Sequence, residues 1–346
     1  MYQNYWFAAL IALGGFSSSA FSQPPPAAGP AAPESIDPLF NPDPKTLLEG
    51  APEFPIIDLT PADRLRGNQS FQNFIGFMGN PTQNIDPRAV TAFWPVFDTV
   101  HTSALPALPS ATAQVYGAGV TVALSDRLAF GMNQGGYAQI VLSRNQPGLF
   151  PNLQGVLQNR RQYAGLREGW LNLGGFVQYT LIADAERQFL LTAGMRWVAP
   201  SGASQLFQGQ PPWGLAPYVT VGKEIGLFHV LATTGFSFPA GSAPVNSDFF
   251  YLNLHLDRQC FGWFYPLIEF NSTYHTTSAS LNLPTRFGFI NTDTFSTSGN
   301  AVAMAVGANA VLVRNKVELG AVYSTLIASQ HGFSANGLLV KMVFRY

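Results

Sequence analysis

The chain has 346 residues, of which 47% are hydrophobic, 13% aromatic and only 11% charged, with a net charge of −1, whereas soluble domains carry roughly 25% charged residues. No apolar run reaches the roughly 18 residues a membrane helix needs, and the longest, residues 5–16, lies at the N-terminus, so a transmembrane β-barrel, with apolar residues at every second position, is the class left. Near-neutral charge excludes a phosphate-binding face, and a single cysteine, Cys260, excludes an intrachain disulfide framework and a thiolate metal cluster.

Residues 1–22 read as a secretory signal. An apolar core (Trp6-Phe-Ala-Ala-Leu-Ile-Ala-Leu) is followed by small residues, with Ala20 and Ser22 placed for cleavage before Gln23. The segment departs from the usual pattern in having no Lys or Arg ahead of the core. Residues 23–85 are expected to form a Pro-rich periplasmic extension, because the repeated prolines after Gln23 oppose both helix and sheet pairing. Within it, Phe71-Gln-Asn-Phe-Ile-Gly-Phe-Met reads as a short amphipathic segment that plugs or caps.

From residue 86 to 346 the pattern is that of a barrel. Residues 112–124 alternate, with Tyr116, Ala118, Val120, Val122 and Leu124 on one face and Gly117, Gly119, Thr121 and Ala123 on the other. A short polar turn at Ser125-Asp-Arg then leads into Leu128-Ala-Phe-Gly-Met, which is the signature of a hairpin. The unit recurs at 170–182/189–198, 216–222/228–238, 249–256/263–274 and 301–313/317–326, and residues 332–346 make a last strand. Bacterial single-chain barrels have even strand numbers, so residues 88–101 supply one more strand despite Pro95. The expected fold is all-β, a transmembrane antiparallel up-and-down barrel of about 12 strands.

Charge placement supports this reading. Asp126, Arg127, Asp184, Glu186, Arg187, Lys223, Glu224, Asp257, Arg258, Arg314 and Lys316 are assigned to the short turns. Inside strands, Arg196, Glu269, Lys341 and Arg345 lie opposite apolar neighbours, as a lumen-facing set must when a lipid-facing charge costs about 2–4 kcal/mol. The alternating last strand ends in Tyr346, which resembles the C-terminal signal read by barrel-assembly machinery.

Three segments, in order, resemble an outer-membrane transporter family named for the MetA pathway of phenol degradation. They are Val122-Ala-Leu-Ser-Asp-Arg-Leu-Ala-Phe-Gly-Met, Ala193-Gly-Met-Arg-Trp-Val-Ala-Pro-Ser-Gly with Ser201 in the place of a Thr, and Pro266-Leu-Ile-Glu-Phe-Asn-Ser. The resemblance spans residues 88–346; the Pro-rich tether and the Phe71 segment depart from it. It implies an outer-membrane channel for small hydrophobic or aromatic compounds. Membrane lipid, the assembly machinery through the last strand and a small hydrophobic solute are the expected partners, and neither enzymatic activity nor a cofactor is expected.

Candidate lumen or constriction residues are Arg196, His229, His255, Glu269 and Lys341. Arg196, Glu269 and Lys341 are expected to form either a constriction or an internal salt-bridge network. The glycines and short side chains of the inward set fit an open, weakly polar lumen and equally a packed interior. A structural envelope barrel and a membrane lipid hydrolase are the alternatives. The hydrolase would need a nucleophile beside one of His101, His229, His255, His275 or His331. No metal-ligand spacing occurs, and Asp257, His255 and Glu269 are read as held apart by strand geometry.

Overall fold

The computed structural model describes residues 65–103, 110–142, 165–206, 208–209, 212–241, 248–277, 280–285, 288–296, 300–329 and 334–346. The signal, the first part of the Pro-rich extension and His331 lie outside them. Sixteen strands are present: β1 (Ala92–Thr102), β2 (Ala111–Ala123), β3 (Leu128–Gln134), β4 (Gly136–Leu142), β5 (Gly165–Trp170), β6 (Gly174–Asp184), β7 (Phe189–Val198), β8 (Gly214–Ile225), β9 (Phe228–Pro239), β10 (Phe249–Arg258), β11 (Phe264–His275), β12 (Ser280–Thr285), β13 (Gly288–Ser296), β14 (Ala301–Val313), β15 (Val317–Ser329) and β16 (Ala335–Arg345). Fourteen of them form one antiparallel sheet, closed by β1, which pairs with both β16 and β2.

The wall has twelve staves, because β3 with β4 and β5 with β6 are each one stave broken in the middle. Gly117 faces Gly136 while Val120 faces Met132, a slip of one residue at Gly135. The facing stave breaks at Asn172 and Leu173. There the Asn172 carboxamide oxygen accepts the amides of Gly202 at 2.8 Å and Gly209 at 2.9 Å, tying the following loop onto the gap. A bulge of this kind bends the strand that carries it. β12 and β13 form a separate two-stranded sheet in the long connection where a loop is expected.

Alternation decides which face meets which solvent. Along β10, Phe249, Tyr251, Asn253, His255 and Asp257 are buried, while Phe250, Leu252, Leu254, Leu256 and Arg258 are exposed. A strand whose polar residues point inward and whose leucines point outward suits hydrocarbon outside and a hydrogen-bonded interior. At one rim the guanidinium of Arg258 lies 5.5 Å from the centre of the Phe228 ring, and Lys316 lies 5.7 Å from that of Tyr346.

The tight connections, at 124–127, 185–188, 226–227, 259–263 and 314–316, share that rim, the turn end; the longer ones share the loop end. Asn315 and Gly226 adopt left-handed φ of 57° and 63°, which a two- or three-residue reversal requires. Two turns lie further along than expected. Glu224 belongs to β8 and Asp257 to β10, and both face inward, because their hairpins reverse at 226–227 and 259–263. Pro95 is accommodated in β1, which keeps its register against β2 there while the ladder to β16 skips from Phe93 to Val96.

Candidate functional site: a plugged lumen

Residues 65–91 fill the turn-end half of the barrel. The segment enters beside the rim, where Asn68 donates to the carbonyl of Ala89 at 2.9 Å and Gln188 in the β6–β7 turn donates to that of Ser70 at 3.1 Å. It then climbs through Phe71, Phe74, Ile75, Phe77 and Met78, each 1% exposed. Phe71, Phe74 and Phe77 pack on Leu190 and Leu231, while Ile75 and Met78 pack on Leu267, Ala305, Val322 and Leu339. The expected amphipathic segment is therefore an irregular strand of chain buried on nearly all sides. Residues 86–91, grouped with the barrel by sequence pattern, form the return limb of this plug, and the wall begins at Ala92.

The wall makes room by being small where the plug is bulky. A Cβ on Gly320 would lie 2.5 Å from Met78 Cε, and one on Gly222 would lie 3.2 Å from the Phe74 ring. At the tip, Asn133 donates to the carbonyl of Thr82 at 2.7 Å, Asn253 donates to Asn84 Oδ1 at 2.6 Å, and Asn84 donates to Asn271 Oδ1 at 2.8 Å. On the return limb, Thr192 donates to the carbonyl of Pro87 at 2.6 Å, and Gln178 to those of Asp86 at 3.0 Å and Arg88 at 3.1 Å. A peptide with no ladder of its own thus has its backbone groups met by inward side chains.

Arg88 staples the two limbs together. Its guanidinium donates to the carbonyls of Phe71 at 3.1 Å and Phe74 at 2.6 Å, and it pairs with Asp86 at 2.5 Å. Burial pushes the Asp86 carboxyl up, but the charge and hydrogen bonds of Arg88 outweigh it and hold the group down at about 2.

Four of the five candidate residues meet the plug or stand directly behind it. Glu269 Oε1 accepts the amide of Met78 at 2.7 Å, and Oε2 accepts that of Gly79 at 2.5 Å. Lys341 donates to the carbonyl of Phe77. His255 Nδ1 lies 2.6 Å from Glu269 Oε1, and its Nε2 lies 2.9 Å from Asp257 Oδ2. His229 Nδ1 lies 2.6 Å from Asp257 Oδ1, with the Phe74 and Tyr265 rings tilted against its own. Asp257, His255 and Glu269 are therefore in direct contact, not held apart.

Register is the reason. His255 is paired across the ladder with Glu269, His229 with Asp257 and Glu224 with His229. Placing the β10–β11 turn at Asp257 and Arg258 shifts that register and separates the partners; Gly262, with φ of 74°, is the local signal that would have moved it. Asp86, Arg88, Glu224, Asp257 and Glu318 are among the charged groups that pattern reasoning missed inside the barrel. Glu318 pairs with Arg345 and accepts from Asn309 at 3.2 Å.

Arg196 stands apart from this cluster. It is buried on β7 toward the loop end, beside Tyr251. Around the loop-end side of the plug tip lie Phe176, Val198, Tyr218, Phe249 and Tyr251, with Ile85 of the plug completing the cluster. A cavity of about 40 Å³ remains between plug and wall, bordered by Phe77, Asp86, Arg88, Trp94, Lys341 and Arg345. That is room for water-sized molecules and no more.

The two buried candidate histidines face carboxylates rather than a nucleophile. Both ring nitrogens of His255 face carboxylates, and His229 Nε2 has no hydrogen-bond partner. His101 bonds Thr112 at 2.9 Å on the exposed side of β1.

No family model and no curated protein matches the chain. Among solved structures, an outer membrane channel from Pseudomonas putida F1 is similar at a TM-score of 0.53 and 14% identity, covering 74% of this chain and 95% of that one. The NanC porin (TM-score 0.42, 8% identity, 73% and 100% coverage) and the TodX monoaromatic hydrocarbon channel (0.38, 9%, 74% and 89%) are more distant. At such identity the first likeness carries the fold: a closed twelve-stave barrel of the outer-membrane type.

Proposed function

We propose that this chain is a passive outer-membrane channel for small hydrophobic or aromatic solutes, held shut by residues 65–91. The observation that carries the reading is what fills the lumen. Small barrels that do not conduct pack their interiors with wall side chains. Here the wall presents Gly222, Gly320, Thr192, Thr220 and Ala305 to the plugged half, and a separate stretch of peptide occupies the space. The aromatic surround above the plug favours apolar solutes over ions.

In this reading the outward leucines face outer-membrane lipid, the turn end faces the periplasm together with the Pro-rich extension, and Tyr346 offers the last strand to the assembly machinery. His255, Glu269 and Lys341 act at the constriction by holding the plug, with His229 behind them and Arg196 lining the approach to it. Deleting residues 65–91 should raise single-channel conductance several-fold in planar bilayers, and liposomes carrying the deleted form should swell in a small neutral aromatic solute. A folded, silent deletion variant would return the chain to the structural-barrel reading.

A further inference from the structure

Glu224, His229, Asp257, His255 and Glu269 form an unbroken line across four adjacent strands, β8 to β11. The line starts at the turn-end mouth, where the Glu224 side chain is 19% exposed, and ends on the amides of Met78 and Gly79. Its links are 3.7 Å from Glu224 Oε2 to His229 Nε2, then 2.6, 2.9 and 2.6 Å through Asp257 and His255 to Glu269. We propose that this line is a proton-operated latch: a proton entering at the mouth reaches Glu269 and releases the tip of the plug. The proposal concerns how the plug is held and stands on the geometry of the line, whether or not the open barrel conducts.

The hydrogen-bond inventory carries the argument. Glu269 accepts three donors, from Met78, Gly79 and His255, and an ionised carboxylate is the form with acceptors only. Both nitrogens of His255 face carboxylate oxygens, which an imidazole satisfies only when it carries both protons. His229 then donates from Nδ1 to the remaining oxygen of Asp257. His255 and Lys341, both positive, balance Asp257 and Glu269, both negative. The neighbouring charges close among themselves, as Asp86 with Arg88 and Glu318 with Arg345; Tyr265 beside His229 is neutral. The charges around Glu269 are therefore balanced in the closed state, with both of its oxygens engaged.

One further proton has a place to enter. His229 Nε2 and Glu224 Oε2 are both buried without a hydrogen-bond partner. A proton taken at Nε2 lets the Nδ1 proton pass to Asp257. Asp257 keeps that proton, and His255, no longer facing a charged carboxylate at Nε2, gives its Nδ1 proton to Glu269, so one added proton leaves both carboxyls and both imidazoles neutral. The O–H of Glu269 then points back at His255 Nδ1, and the amides of Met78 and Gly79 lose the charged acceptor that made their hydrogen bonds strong. The tip then loosens while the Arg88 staple still holds the limbs.

Hydrogen exchange of the full-length protein in detergent, read by mass spectrometry over a peptide spanning residues 75–80 and corrected for intrinsic rates, tests this. At about pH 7.5 the wild-type peptide should be protected, and at about pH 4.5 protection should fall about tenfold or more. Glu269→Gln should exchange fast at both values, and His229→Gln, which leaves Glu269 in place but blocks the entry, should stay protected at both. Heat-modifiable gel migration establishes that each variant is folded. Equal wild-type protection at the two pH values, or a protected tip in folded Glu269→Gln, overturns the latch. Tip release by acid in a barrel that stays silent in bilayers upholds the latch and removes the channel reading.

Discussion

Asp86 and Arg88 show how much a single ion pair decides inside this lumen. Arg88 is nearly fully buried and would be costly without its carboxylate partner. Because Asp86 titrates near 2 in the folded protein and near 3.8 ordinarily, its contribution is complete above the ordinary value and disappears as pH falls through about 2. Asp86→Asn should cost about 2 kcal/mol at neutral pH and almost nothing at the acid limit, measured as the urea midpoint of unfolding. These residues were not legible beforehand. Nothing in Ile-Asp-Pro-Arg distinguishes a plug staple from a solvated loop, since its partners are the carbonyls of Phe71 and Phe74, brought near by the turn at the tip. Asp257 was missed for a different reason, a turn placed a few residues early, which is a register error that a local reading can make.

At the level of strands, hydrophobic alternation specified most of what the structure contains. β16 was readable residue by residue, because a one-residue slip would turn its outward apolar side chains into the lumen and its charges into lipid. The broken staves were not, since the bulge at Gly135 and the gap at Asn172 depend on a loop folding back from residues 202–209. Tyr218 and Tyr251 lie flat against the wall because Gly194 and Gly235 stand where a side chain would meet their rings at about 2.5 Å. Gly235→Val should therefore lower the temperature of gel-mobility loss, at a cost of about 1–3 kcal/mol for forced repacking, while leaving the outward face unchanged.

On the scale of the whole molecule, β1 closes the barrel by pairing with both β2 and β16, and the exposed surface is ringed with large apolar side chains such as Phe93, Leu254, Tyr323 and Phe344. Such a surface is stable only in lipid or detergent. The folded protein should migrate faster than the boiled one on a denaturing gel and should aggregate when detergent is removed. A water-soluble monomer whose mobility heat does not change would contradict the fold.

The amino-acid sequence on its own determined the class of fold, the number of staves, the inward face and four of the groups that surround or support the plug. All of these follow from period-two alternation and from the cost of placing charge against lipid, which act along the chain. Tertiary structure alone decided that the lumen is occupied, that residues 65–91 occupy it, and that His229, Asp257, His255 and Glu269 touch. Those facts depend on closure of the ring and on registers between strands, which bring together groups as far apart in the chain as Met78 and Glu269.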